Sequence, residues 1–343
     1  MKKRLALLTG IVLSFATVSF SIIRVADDGA YDFLYHDTRD EFSEKLSVIK
    51  PITVLFVGDM MLGRAVETLI EREGIAYPFH GVDDILSAHD ITVGNFEGVV
   101  SPVHIQTPSM GFQFSIKDEY FKHLSLLGFD ILSLANNHSL DFGTTSLAHT
   151  RTLCTTHGLV CGGTPVGVNN FSTHTQTVGG VKIGFLFLHT LYGSPANDEI
   201  ATSIRALREE SDIQFAFVHW GDEYVRQHNA EQEVLAHMLI EHDIDAVIGH
   251  HPHVVQDVVL YQGKPIFYSL GNFIFDQYFS TDVQQMLALS VAVENDVLRY
   301  SLIPLTSVET QSQPRLMNER EGSLFIKDIL GTLSETNELI VRR

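Results

Sequence analysis

ITVLFVGDMMLGR, residues 52–64, holds the reading that decides the fold: an almost unbroken apolar run over 52–57 halts at Gly58-Asp59, and a helical pattern starts at Arg64. A short run of this kind, bounded by a turn and a helix, reads as a strand buried on both faces. The same event recurs along the chain. The run at 91–93 leads into Asn95-Phe96-Glu97, and that at 131–134 into Asn136-Asn137-His138 with Asp141 just beyond. The run at 213–218 ends at His219-Trp220-Gly221-Asp222-Glu223, and that at 246–248 at Gly249-His250-His251-Pro252-His253.

Helical patterns fill the intervals, as at 64–73, 144–156 and 230–242. Three stretches differ: 175–188 around Gly179-Gly180, 255–270 around Gln262-Gly263, and 286–305 around Asn295-Asp296 read as antiparallel hairpins. Buried strands in α/β units together with hairpins predict an α/β fold of two packed mixed β-sheets flanked by helices.

The chain has 343 residues, 45% hydrophobic and 19% charged, the composition of a folded globular protein. Its formal net charge is −19, so no basic surface exists to release counterions from a phosphate backbone, and nucleic acid is excluded as a partner. The same field repels a polyanion unless bound cations offset it.

The N-terminus reads Met1-Lys2-Lys3-Arg4 and then an uncharged stretch over 5–23. At 1.5 Å per residue that stretch spans about 28 Å as a helix, enough to cross the hydrocarbon core, and the preceding basic residues favour a cytoplasmic start. The expectation is a membrane anchor or signal segment over 1–24, a polar stalk over 25–50, one domain over 51–306, and a polar tail over 307–343 with an amphipathic helix near 322–333. Whether the segment stays as a single-pass anchor or is cleaved, the remainder lies outside the cytoplasm. Cys154 and Cys161 are too few for a thiolate zinc site; a disulfide between them and a pair of small buried residues are both compatible with their spacing.

In open α/β sheets ligands gather beyond the carboxyl ends of the strands, which is where the polar residues above fall. Carboxylate, amide and imidazole without thiolate suit Mn, Fe or Zn, and one or two divalent ions would polarise a phosphoryl or carbonyl oxygen and activate water.

The order of these segments resembles the calcineurin-like metallophosphoesterase superfamily, and within it is most similar to the CapA family of poly-γ-glutamate capsule proteins. The matching segments are GDMMLGR (58–64), NFEG (95–98), NNHSLDFG (136–143), HWGDEY (219–224), HPHVVQ (251–256) and SLGNFIFDQ (269–277). The resemblance implies a four-layer αββα metallophosphatase-like sandwich. It implies Asp59, Glu97, Asn137, His219, His251 and His253 as metal ligands, Glu97 as the bridge, and His138, oriented by Asp141, as general acid. It further implies Arg64 as a bidentate clamp on an anionic oxygen, Glu223 as a ligand or proton carrier, and Asn272, Asp276 and Gln277 as the finish of the rim. The chain departs from the general pattern at Met61, where a histidine is usual, at Glu97, where an aspartate is usual, and at Ser139, leaving the first metal position one ligand short.

What the resemblance implies for function is an envelope protein acting in synthesis, export or trimming of poly-γ-glutamate or a similar anionic polymer, alongside other capsule-synthesis proteins. Two alternatives stand beside it: a non-catalytic metal-binding component of a capsule assembly, and an extracytoplasmic metal-dependent phosphoesterase.

Overall fold

The computed structural model describes residues 24–25, 31–32, 51–108, 110–331, 333 and 336–343. The anchor expected over 5–23 lies outside the described residues, as does most of the stalk. Among the described residues no helix is long and apolar enough to cross a membrane. The chain divides into Met1–Lys50 and Pro51–Arg343. In the first unit, β1 (Arg24–Val25) pairs antiparallel with β2 (Tyr31–Asp32).

The second unit holds two sheets. The larger is built on the parallel strands β3 (Ile52–Met60), β4 (Ile91–Phe96), β5 (Ile131–Ser133) and β6 (Val160–Gly162). The smaller contains β7 (Thr173–Val178), β8 (Val181–His189), β9 (Ile213–His219), β10 (Ala246–His250), β11 (Val258–Tyr261) and β12 (Lys264–Phe267), in the order β11-β12-β10-β9-β8-β7. The larger sheet is completed by β13 (Asn272–Ile274), β14 (Gln285–Glu294), β15 (Val297–Thr306), β16 (Arg315–Leu316) and β17 (Glu338–Arg342), with β14 antiparallel to β3 and β13 parallel to it.

All three hairpins form, and their role is larger than addition at the margins. β8 pairs antiparallel with β7 on one side and parallel with β9 on the other, and β12 likewise joins β11 to β10. One arm of each of these two hairpins is therefore a core strand.

Inner faces of both sheets meet in one apolar layer that includes Val54, Phe56, Val93, Phe185, Phe187, Phe215, Phe217 and Ile248. Phe56 meets Phe215 edge-on across it, ring centroids 5.1 Å apart. Helices α1 (Arg64–Glu73), α2 (Asp83–Ser87), α3 (Glu119–Leu126) and α4 (Gly143–Thr156) lie on the larger sheet's side, where Leu55, Val57 and Leu132 pack with Val66, Leu86, Phe121 and Cys154. Helices α5 (Asn197–Glu210) and α6 (Ala230–Glu241) cover the smaller sheet through Ile200, Ile204, Ala236 and Leu239. The result is the expected helix–sheet–sheet–helix order.

Residues 307–343 carry β16, β17 and α7 (Glu319–Leu330), whose Phe325, Ile326 and Ile329 enter the inner layer. An asparagine capping box starts both α6 and α7: Asn229 accepts from Gln232 N and Asn318 from Glu321 N, each returned by the side chain of the third helical residue. Cys154, on α4, is joined to Cys161, on β6, by a disulfide with Cα atoms 5.9 Å apart.

Strands β4, β9 and β10 run further than their apolar stretches, ending at Phe96, His219 and His250. Hydropathy stops at the first polar side chain, but the parallel ladder continues through it, pairing Asp59 with Asn95 and His219 with both His189 and His250. Polar residues thereby sit on rigid strand ends.

Candidate metal centre

Gly58 lets β3 reach the rim. A Cβ there would stand 2.0 Å from Gly271 O, and the next amide, Asp59 N, donates to that carbonyl at 3.0 Å. Asp59 and Glu97 follow, both completely buried. Ligand atoms of Asp59, Glu97 and His219 lie within 4.8 Å of one another, as do those of Glu223, His251 and His253. The two groups touch: His253 Nε2 is 3.6 Å from Glu97 Oε1, and His253 Nδ1 is 3.4 Å from Asp59 Oδ2.

Buried carboxylates without compensation cost several kcal/mol each. Burial pushes the Glu97 carboxyl well above the usual range, and the neighbouring Asp59 and Glu223 carboxylates add to it although His253 opposes. Burial would also raise Asp59, but His253, His250 and the Asn95 amide outweigh it and hold that carboxyl low. Burial would lower His253, yet Glu97, Asp59 and Glu223 lift it to about 9. At His219 and His251 the balance falls the other way, although Asp59 pulls His251 upward. Burial and the neighbouring imidazoles hold His219 well below its ordinary value and bring His251 to about 3.

At this centre the buried Glu97 Oε1 and His251 Nδ1 are among the atoms left without a hydrogen-bond partner. Orphaned ligand atoms beside two buried carboxylates and neutral imidazoles are a donor set that fits a divalent cation.

Amides orient the set. Asn95 Nδ2 donates to Asp59 Oδ1 at 2.8 Å and to Glu97 Oε2 at 3.3 Å, and stands 3.3 Å from His219 Nδ1. Its own Oδ1 accepts from Asn136 Nδ2 at 3.0 Å, which fixes the amide's direction. Asn137 Oδ1 and His219 Nε2 are 2.8 Å apart. His253 Nδ1 faces Asn272 Oδ1 at 2.9 Å, leaving Nε2 toward Glu97. The backbone turns sharply here, with positive φ at Arg64 (50°), Tyr224 (65°), His251 (99°) and His253 (59°), a conformation that costs of order 1–3 kcal/mol per non-glycine residue.

His138 stacks on Phe114 with ring centroids 3.8 Å apart. Its Nδ1 lies 2.9 Å from Asp141 Oδ2 and its Nε2 3.8 Å from Glu97 Oε1, so Asp141 aims the ring at the centre. Arg64 is placed differently from a free anion clamp. Nε and Nη2 bind the Asp276 carboxylate, Nη1 donates to Gly111 O at 3.0 Å, and the guanidinium lies 4.6 Å from the Phe114 centroid. His250 turns away, stacking on Phe217 with Nε2 3.2 Å from Val57 O.

The structure brings two further residues to the centre, Asn95 and His189. Asn95 was visible in NFEG but carries no ligand signature of its own. His189 ends β8, its ring 5.7 Å from that of His219, with Nδ1 2.6 Å from Pro165 O and Nε2 buried and partnerless. The loop after β9 is fastened from behind by glutamines: Gln232 Nε2 donates to Gln256 Oε1, and Gln256 Nε2 to Val225 O and Gln227 O.

The family model described as bacterial capsule synthesis protein PGA_cap matches residues 53–277, a span holding every residue named at this centre. PGA biosynthesis protein CapA of Bacillus subtilis is 29% identical over 303 residues, covering 81% of this chain and 77% of that protein. Capsule biosynthesis protein CapA of Bacillus anthracis is 29% identical over 284 residues, 77% of this chain and 69% of its own. Among solved structures, a novel phosphatase from Mycoplasma pneumoniae aligns with a TM-score of 0.46 and 13% identity, over 74% of this chain and 87% of that one.

Proposed function

The chain belongs to the bacterial capsule synthesis protein family, PGA_cap, and from that premise we propose that it acts on poly-γ-glutamate or a similar anionic polymer through a divalent-metal, hydrolase-type site in the cell envelope. The observation that carries the reading is Glu97, fully buried beside Asp59 with Oε1 lacking any hydrogen-bond partner, ringed by His219, His251 and His253. The names of the two CapA relatives support the polymer, and the basic-then-apolar start of the sequence supports the envelope.

Asp59, Glu97, Asn137, His219, His251 and His253 would hold the ion or ions. A bound divalent ion acts as a Lewis acid on a carbonyl oxygen, eases deprotonation of water, and relieves the repulsion between an acidic protein and an acidic chain. Hydrolysis of a γ-amide needs water oxygen to bond to the carbonyl carbon while the C–N bond breaks and the nitrogen leaves with a proton. His138, held by Asp141, gives the Nε2 proton to that nitrogen and regains one from the water. Phe114 covers the other face of the ring and excludes solvent from it. Arg64 meets a substrate anion only by exchanging Asp276, which counts against a site specialised for phosphate.

The test is the full-length protein in detergent, metal-loaded, incubated with γ-linked glutamate polymer and separately with a generic phosphodiester. Shortening of the polymer, abolished by chelation and reduced on the order of 100-fold or more in His138→Ala, is the expected result. Turnover of the phosphodiester alone, or polymer binding without cleavage, overturns it.

A further inference from the structure

Between Glu97 and Lys117 the sequence holds no Asp, Glu, Lys or Arg, although 19% of the chain is charged. This stretch joins β4 to α3, and it carries two unlike sets of side chains. One set fastens it, mostly to α1. Arg64 Nη1 donates to Gly111 O at 3.0 Å, and Gln106 Nε2 to Thr68 Oγ1 at 3.0 Å. His104 Nε2 lies 2.9 Å from Oε1 of the buried Glu67, and its Nδ1 meets Ser115 Oγ at 3.0 Å. Further along, Gln113 Nε2 donates to Asp141 O at 2.7 Å. The other set is Val103, Ile105, Met110 and Phe112, which are 74%, 70%, 87% and 88% exposed. Four bulky apolar side chains held in water on a fastened backbone mark an interaction surface.

We propose that these four side chains seat in the headgroup and upper acyl region of a lipid bilayer, a contact made by the domain itself in addition to the uncharged segment over 5–23. This rests on the envelope location proposed above. Chain length favours lipid as the occupant: residues 24–50 separate that segment from the domain, and 27 residues reach at most about 95 Å, which keeps the domain at high effective concentration beside the surface. Charge selects which part makes contact. A chain of net charge −19 is held off an anionic surface, and the uncharged stretch is where it can approach without desolvating an ion. Size agrees with both. The four side chains offer on the order of 500 Å² of apolar surface, enough for interfacial insertion and short of the roughly 800 Å² per partner of a stable protein interface. Phe114, two positions past Phe112, stacks on His138, so seating the stretch in lipid brings the rim of the metal centre to the bilayer surface.

The test reconstitutes full-length protein in phosphatidylcholine vesicles with and without bromine on the acyl chains, which quenches indole fluorescence on contact. Trp220 is the chain's single tryptophan and is buried, so it contributes a constant background. In Phe112→Trp the introduced indole should lose about half of its emission or more to brominated lipid, the result expected of a side chain seated among acyl chains. In Val234→Trp, at a position 69% exposed on α6 over the other sheet, brominated and plain lipid should give the same emission. Both substitutions lie at exposed positions and leave the core intact. Protein that floats with the vesicles while its Phe112→Trp indole stays unquenched, whether in water or shielded by another protein surface, overturns the proposal and leaves the envelope location standing. Equal quenching in the two variants also overturns it, since the contact would then not belong to this stretch. Protein that does not float with the vesicles overturns both.

Discussion

The two sheets bring opposite chemistry to one rim. From the larger come the buried carboxylates and most of the amides, Asp59 and Asn95 on β3 and β4 with Glu97 and Asn137 in the turns that follow, and from the smaller most of the imidazoles, His189, His219, His251 and His253. Asp59 and Glu97 without the histidines would be a pair of buried like charges, and His219, His251 and His253 without those carboxylates a largely desolvated set. The centre is thus a product of sheet packing, and its integrity depends on the phenylalanine layer beneath it.

The largest effect should come from that layer. Phe215→Ala removes a fully buried ring and should cost roughly 3–5 kcal/mol of stability, read by denaturant unfolding. It should weaken Mn²⁺ binding although residue 215 touches no ligand. Full stability loss with unaltered affinity would show the two halves to be positioned independently.

Next in size is the ion's own contribution. At a concentration 100 times its Kd, Mn²⁺ should add about 2.7 kcal/mol, raising Tm by roughly 4–5 °C. Glu97→Gln should erase that gain while leaving the metal-free protein as stable as wild type, because burial already disfavours the charged form of Glu97. A metal-free variant markedly less stable than wild type would mean that Glu97 serves the fold.

The smallest effect separates ligands from what aims them. Asn272→Ala leaves every proposed ligand present but frees His253 Nδ1, and should lower affinity about 10- to 100-fold with little change in metal-free stability, measured by calorimetric titration. An unchanged affinity would show that the hairpin and turn geometry hold His253 without the amide.

The strands, the hairpins and the polar residues at strand ends were legible because each is local: an apolar run, a glycine-bearing turn, a histidine or carboxylate where hydropathy stops. Asn95 is an example of what was not. Its role exists only through Asp59, 36 positions away, and His219, 124 positions away, and no periodicity encodes such pairings. Arg64 reads as a free anion clamp from GDMMLGR alone, but Asp276, 212 positions on, occupies it. The amphipathic pattern near 322–333 showed a helix without showing that Phe325 and Ile329 complete the inner layer, because an apolar stripe names no partner.

The residues that frame the rim are largely neutral amides: Asn95, Asn136 and Asn272 inside, Gln277 at the edge, and Gln232 and Gln256 behind the loop that carries Glu223. Ionic strength screens exposed charge pairs over a Debye length but leaves buried dipole contacts nearly untouched. The shape of the opening is consequently insulated from dilution and brine alike, while the long-range pull on a charged chain approaching it still varies with the salt around it.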